Sequence, residues 1–145
     1  MGIHEFLNYD PLPYLESSEE PWVRYNLKLL CGEDSSKEFK ELTADPRIQL
    51  LIDECIRWPD PPIKRHNDAK HLIHKIEMLA DMGLDIRDKW INAICNLIME
   101  NRTEDCYFAS KVEIPERWGG KDTWTMEWMQ CDSPILLYAL LKFGI

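Results

Sequence analysis

No apolar run in this sequence approaches the ~20 residues needed to cross a bilayer as a helix, so no membrane span is expected. The opening Met1-Gly2-Ile3-His4-Glu5 lacks the basic start and apolar core of a signal peptide. Phe6 stands where a myristoylation motif on Gly2 needs Ser or Thr. A basic stripe is also missing. Lys64-Arg65-His66 is the densest basic spot, too short for a phosphate backbone, in a chain of net charge −9. Nucleic acid is therefore not an expected partner. The five cysteines, Cys31, Cys55, Cys95, Cys106 and Cys131, form no Cys-x-x-Cys pair. Their scatter and odd number fit reduced, buried thiols in a cytoplasm better than a disulfide framework. Gly-x-Ser-x-Gly and His-Glu-x-x-His do not occur, and Gly119-Gly120-Lys121-Asp122 lacks the spacing and preceding strand of a phosphate loop. No cofactor is expected.

What the sequence does have is helical punctuation. Its 145 residues, 45% apolar and 30% charged, fit one domain with a real core. Residues 1–19 are rich in Pro and acid. Pro11 and Pro13 bias their predecessors away from helix, so this stretch reads as an extended arm on a body formed by 20–145.

Ser17-Ser18-Glu19-Glu20-Pro21 starts a helix that stops at Gly32, and Ser35-Ser36 starts a short one running through Leu42. Thr43-Ala44-Asp45-Pro46 opens a third, in which Ile48, Leu51, Ile52, Cys55 and Ile56 make one apolar stripe. Trp58-Pro59-Asp60-Pro61-Pro62 ends it.

The next helix is expected from Asn67 or Asp68 to Met82, burying Ala69, Leu72, Ile73, Ile76, Leu79 and Ala80. Asp85 is expected to cap another, with Trp90, Ala93, Ile94, Leu97, Ile98 and Asn101 buried. The short Gly83-Leu84-Asp85 link predicts an antiparallel hairpin. Residues 102–122 hold Pro115 and Gly119-Gly120 and read as a long loop, packed down by its own aromatic and aliphatic side chains. Period-2 alternation surfaces only from Tyr107 to Ile114.

The last helix starts at Asp132 or Ser133 with Pro134 in its first turn, and closes at Gly144. Nearly every residue between is apolar, so it reads as the element that the others pack around. The expected class is all-α, with about five to seven helices packed as antiparallel hairpins.

Residues 93–108 resemble the repeat of the terpenoid cyclase and protein prenyltransferase superfamily, including its uncharacterised prokaryotic members. There an apolar helix ends in Gln, followed by an Asp-Gly turn and an aromatic. Here Asn101 holds the Gln place and Cys106 the Gly place. Trp128-Met129-Gln130-Cys131-Asp132-Ser133-Pro134 and the helix after it look like the entry to a next inner helix. The resemblance spans residues 45–145 and implies an α/α-toroid-like arc, about half of a closed toroid.

The Asp-x-Asp-Asp motif of the cyclases is absent, and no His follows Cys106 to complete a prenyltransferase-type zinc site. What the resemblance leaves is an isoprenoid-sized apolar cavity.

Candidate sites follow. His71 and His74, with Met78, fall on the helix side opposite its buried stripe. They read as a solvated or cavity-lining face, and a metal site would want a third ligand, for which His66 is near in sequence. Cys131-Asp132 at a helix start reads as a cap, since Asp132 raises rather than lowers a thiol pKa. Glu104-Asp105 and Glu113/Glu116 read as solvated loop acids rather than a catalytic pair.

Trp118, Trp124 and Trp128, with Met126 and Met129, either wall a pocket for an apolar ligand or form the core under the loop. Leu137, Leu141 and Phe143, on a terminal helix with nothing after it to cover one side, predict a homodimer interface. The favoured function is a non-catalytic scaffold or binding module. The alternative is a carrier or enzyme acting on a small apolar ligand.

Overall fold

The structure is a computed structural model that describes residues 9–65 and 68–145. Gly2, the first half of the arm, and the His66 and Asn67 readings lie outside those residues. The chain divides into two compact units, 1–45 and 46–145.

In the first unit the Pro-rich arm is not wholly extended. Helix α1 (Leu12–Glu16) starts at Pro11 and contains Pro13 in its first turn. First-turn amides need no helical partner, so proline is harmless there. The Asp10 carboxylate accepts from the Leu12 N–H at 3.0 Å. Helix α2 (Pro21–Cys31) begins on proline and ends at Gly32, as its signals require. It packs on α3 (Ser36–Ala44), where the Tyr25 and Phe39 rings meet at 5.4 Å and Arg24 pairs with Glu41 at 2.8 Å.

The second unit opens with α4 (Pro46–Cys55), which buries Ile48, Ile52 and Cys55 as its period predicts. Helix α5 (Leu72–Asp81) starts about four residues later than expected. Asp68 spends its side chain on a turn, accepting from the Lys70 N–H, and His71 becomes the cap. The stripe Leu72, Ile73, Ile76, Leu79 and Ala80 is buried as predicted.

Helix α6 (Lys89–Glu100) is capped by Asp88, because Asp85 is engaged with Arg87 at 2.6 Å. Its buried face is Ile91, Ile94, Cys95 and Ile98, rotated from the predicted one, and Trp90 lies exposed beside Lys89. Two apolar stripes overlap on this helix, and packing chose the aliphatic one.

Helices α5 and α6 pack against α4 and against α7 (Asp132–Phe143) more than against each other, so the predicted α5–α6 hairpin is not the main packing unit. The link between them is drawn into the core. Leu84 is fully buried and the Ile86 N–H donates to the Phe143 carbonyl at 3.0 Å.

The all-α expectation is corrected to mostly helical. Strands β1 (Ala109–Glu113) and β2 (Trp124–Trp128) pair antiparallel, from Ala109 opposite Trp128 to Glu113 opposite Trp124. The alternation at 107–114 marks β1, and Trp124, Met126 and Trp128 share one face of β2. On its other side β1 meets Ile63, whose N–H donates to the Lys111 carbonyl at 2.7 Å.

Residues 114–122 are folded tightly over a 3-10 turn (Glu116–Trp118). A Cβ on Gly120 would sit 1.8 Å from the Ile114 carbonyl oxygen, so only glycine fits there.

Helix α7 packs against α5, α6 and β1, but it is not enclosed. Leu136, Ala139, Leu140 and Phe143 are buried, whereas Pro134, Leu137, Tyr138, Leu141 and Ile145 are exposed. Phe143 is thus a core residue rather than an interface one, because it falls on the inward face. Among the described residues no helix is long and apolar enough to cross a membrane.

Candidate functional site

Four chain segments converge where α6 ends and α7 begins. After Asn101 the chain reverses through residues 103–107. The Thr103 N–H donates to the Tyr107 carbonyl at 2.8 Å, and the Tyr107 N–H donates to the Thr103 hydroxyl at 3.1 Å. Cys106 takes the left-handed conformation in this turn, at φ 66°. The next residue, Phe108, donates its N–H to Ser133 Oγ at 3.0 Å, which ties the start of β1 to the start of α7. Because Ala109 faces Trp128 in the register, the end of β2 is delivered to the same place, and the Tyr107 and Trp128 rings stack at 4.5 Å.

The result is an open pocket of about 660 Å³. Its aromatic and aliphatic wall is Tyr107, Phe108, Trp128, Pro134 and Leu137, with Arg102, Cys106, Gln130 and Ser133 completing the lining. Arg102 is the one charged residue among these nine, and no carboxylate is among them. Its guanidinium has no ion pair or hydrogen bond among the described residues. The volume falls within the range of small-molecule sites, and a mostly apolar lining with a few polar groups is their usual make-up.

The structure brings only one of the three candidate tryptophans into this pocket. Trp124 lies at the other end of β2, four residues and ~13 Å of strand from Trp128, under the Lys111 ammonium at 4.2 Å. Trp118 is highly exposed and borders a smaller hollow of about 250 Å³ with Ile63, Val112, Ile114 and Met129. The sequence shows three aromatics near one another, and strand geometry separates them.

The histidines are elsewhere and do something else. His71 is 7% exposed rather than on a solvated face. Its Nδ1 accepts from the Ile73 N–H at 3.3 Å, its Nε2 lies 2.9 Å from the Pro61 carbonyl, and its ring meets Trp58 edge-on at 6.4 Å. Both contacts are satisfied together by a neutral imidazole protonated at Nε2, which fixes the tautomer. His71 is therefore a clamp that caps α5 and holds the proline turn.

It borders a hollow of about 300 Å³ with Glu54, Arg57, Lys64, Asp68 and Lys70. His74 lies beside Glu77 at 3.7 Å, and Met78 is exposed; neither lines the Trp128 pocket. Among the described residues no three His, Cys, Asp or Glu side chains are grouped to hold a metal.

The remaining candidates separate. Burial first, then the hydrogen bond to Asp132 and its charge, push the Cys131 thiol up; its Sγ donates to the carboxylate at 3.2 Å. Glu104 and Asp105 are exposed on the reversing turn, while Glu113 pairs with Lys64 at 3.2 Å. Leu137 lies on the exposed face and in the pocket; Leu141 continues that face one turn on.

Arg102, Tyr107 and Phe108 were not singled out by sequence as site residues. The available signal was a cation and an aromatic pair at the start of a stretch with strand-like alternation. Comparison with family models, curated proteins and solved structures finds no match to this chain.

Proposed function

We propose that this chain is a non-catalytic binding module that takes an apolar ligand in the pocket between Tyr107, Trp128 and Leu137. The observation that carries this reading is the stacked, half-exposed Tyr107–Trp128 pair forming one wall of a cavity about 660 Å³ in size. A stacked pair left open to solvent keeps a large apolar surface available at little conformational cost.

The lining supports binding over chemistry. It holds no His, Asp or Glu to serve as acid or base, and the Ser133 oxygen is engaged by the Phe108 N–H. An isoprenoid-sized group, as the superfamily resemblance implies, is one occupant of suitable size.

The test is titration with N-phenyl-1-naphthylamine, an uncharged apolar fluorophore, followed by its emission and by tryptophan quenching. Wild-type protein is expected to bind it saturably. Leu137→Glu, which places a carboxylate on the apolar wall, is expected to weaken binding at least tenfold while leaving the urea midpoint nearly unchanged. Unsaturable, Leu137-independent uptake sinks the reading.

A second reading, self-association, is favoured by one observation. Pro134, Leu137, Tyr138 and Leu141 recur at helical spacing on the exposed face of α7. A two-fold dimer would cover that stripe. Light scattering over a dilution series decides it, with Leu141→Glu expected to give a monomer; a wild-type monomer at every concentration removes this reading.

A further inference from the structure

We infer that the ligand of the Trp128 pocket is an amphipathic anion, with an apolar or aromatic body against Tyr107 and Trp128 and a single anionic head on Arg102. The inference rests on the pocket reading above and deepens it by naming the ligand's charge. The chain carries 26 acidic residues against 17 Lys and Arg, so an acid-free lining whose single charge is positive runs against the composition.

Three other arginines are engaged, and Arg65 and Arg117, which share no such contact among the described residues, do not line this pocket. Arg24 holds Glu41, Arg87 holds Asp85, and Arg57 Nε donates to the Glu54 carbonyl. Arg102, with five donors at the pocket lining, has no side-chain partner among the described residues. A guanidinium offers a planar fork to a carboxylate, sulfonate or phosphate monoester, which is the shared chemistry of the head group.

One further feature points the same way. The Gln130 side chain adds an amide donor to the lining. A neutral hydrocarbon would use the apolar wall and leave all of these idle.

The experiment pairs two probes with the same aromatic body: 1-anilinonaphthalene-8-sulfonate, and uncharged N-phenyl-1-naphthylamine. Wild-type protein is expected to bind the sulfonate about tenfold or more tighter at low salt, with the preference shrinking as salt rises. Arg102→Gln is expected to bring the affinities of the two probes together, with the sulfonate losing most, and Arg102→Lys to restore part of the preference.

Equal affinity for the two probes, or a preference that survives Arg102→Gln, overturns the inference and leaves the apolar-pocket reading standing. Failure of both probes to bind overturns both. Arg102 is exposed, so the variant is expected to keep the wild-type urea midpoint, which the same samples verify.

Discussion

Two hollows in the second unit hold the residues on which a functional reading turns, and they differ in what their polar groups have left to give. At the His71 hollow the imidazole is consumed: one nitrogen serves the Pro61 carbonyl and the other the Ile73 N–H, with Trp58 against the ring. Its neighbours are charges of both signs. At the Trp128 hollow the aromatic wall is half exposed and the one cation is unpaired. A buried, satisfied polar group stabilises the fold, while unspent bonding capacity beside open apolar surface is what a ligand can use. By that measure the first hollow is architecture and the second is a site.

The largest effect is expected from breaking the clamp. His71→Ala removes a helix cap and one donor to the carbonyl of Pro61, which is itself exposed, at a cost of about 1–3 kcal/mol. Urea denaturation should show a lower midpoint, while probe affinity in the Trp128 pocket of the folded fraction stays within about twofold. His71→Asn should recover the capping share alone. A His71→Ala protein as stable as wild type would remove the distinction between the hollows.

The thiols sharpen the same contrast. Burial pushes Cys55 up to about 12 and Cys95 up to about 11, from 9.0 in the free group, while Cys106 stays exposed in the pocket. Both folded values lie above the unfolded one, so the contribution is intact below pH 9 and is lost as pH rises toward 11–12. The slope approaches ~1.4 kcal/mol per pH unit for each thiol. Unfolding free energies measured between pH 8 and 11 check this, and Cys95→Ala should flatten the decline.

A smaller effect is expected within the pocket wall. A double-mutant cycle of Tyr107→Ala and Trp128→Ala should give a coupling of about 0.5–1.5 kcal/mol, the usual range for a stacked pair. Additive losses would mean that the stack contributes nothing to the wall. Smallest of all, Cys106→Gly should raise stability by up to about 1 kcal/mol, since glycine adopts φ 66° without the Cβ penalty. A lower melting temperature would contradict it.

How much was legible in the sequence depends on the range of the interaction. Helix signals were read well where a fixed or left-handed φ acts, and less well for side-chain caps, where His71 and Asp88 displaced Asp68 and Asp85. Pro21 and Pro46 begin helices, and Gly32 and Gly144 end them in the left-handed conformation. The stripe through Ile48, Ile52 and Cys55, and the one through Ile73, Ile76 and Ala80, were visible because a packed helix face repeats every 3.6 residues. Periodicity failed where two faces compete. On α6 both Trp90 and Ile91 begin plausible stripes, and only the neighbours α4 and α7 select the second.

Strands β1 and β2 were the larger miss. Each is only five residues long, yet both carry period-2 alternation, 107–114 for β1 and Trp124-Thr125-Met126-Glu127-Trp128 for β2. An isolated run that short does not reveal its partner. Their pairing is the step that builds the candidate site. Antiparallel register puts Ala109 opposite Trp128 and so brings Tyr107 onto the Trp128 ring, while sending Trp124 away.

The sequence by itself determined a mostly helical chain, its proline starts and glycine stops, and two amphipathic stripes, because those signals are local and are written within a few residues. Tertiary structure alone decided that α5 and α6 each pack on α4 and α7, that His71 is spent inside the fold, and that α7 keeps an exposed apolar face. It also decided that Arg102 stands unpaired beside Tyr107 and Trp128. Each of these depends on which distant segment occupies a neighbouring volume, and hydrophobic periodicity, being non-directional, does not specify that.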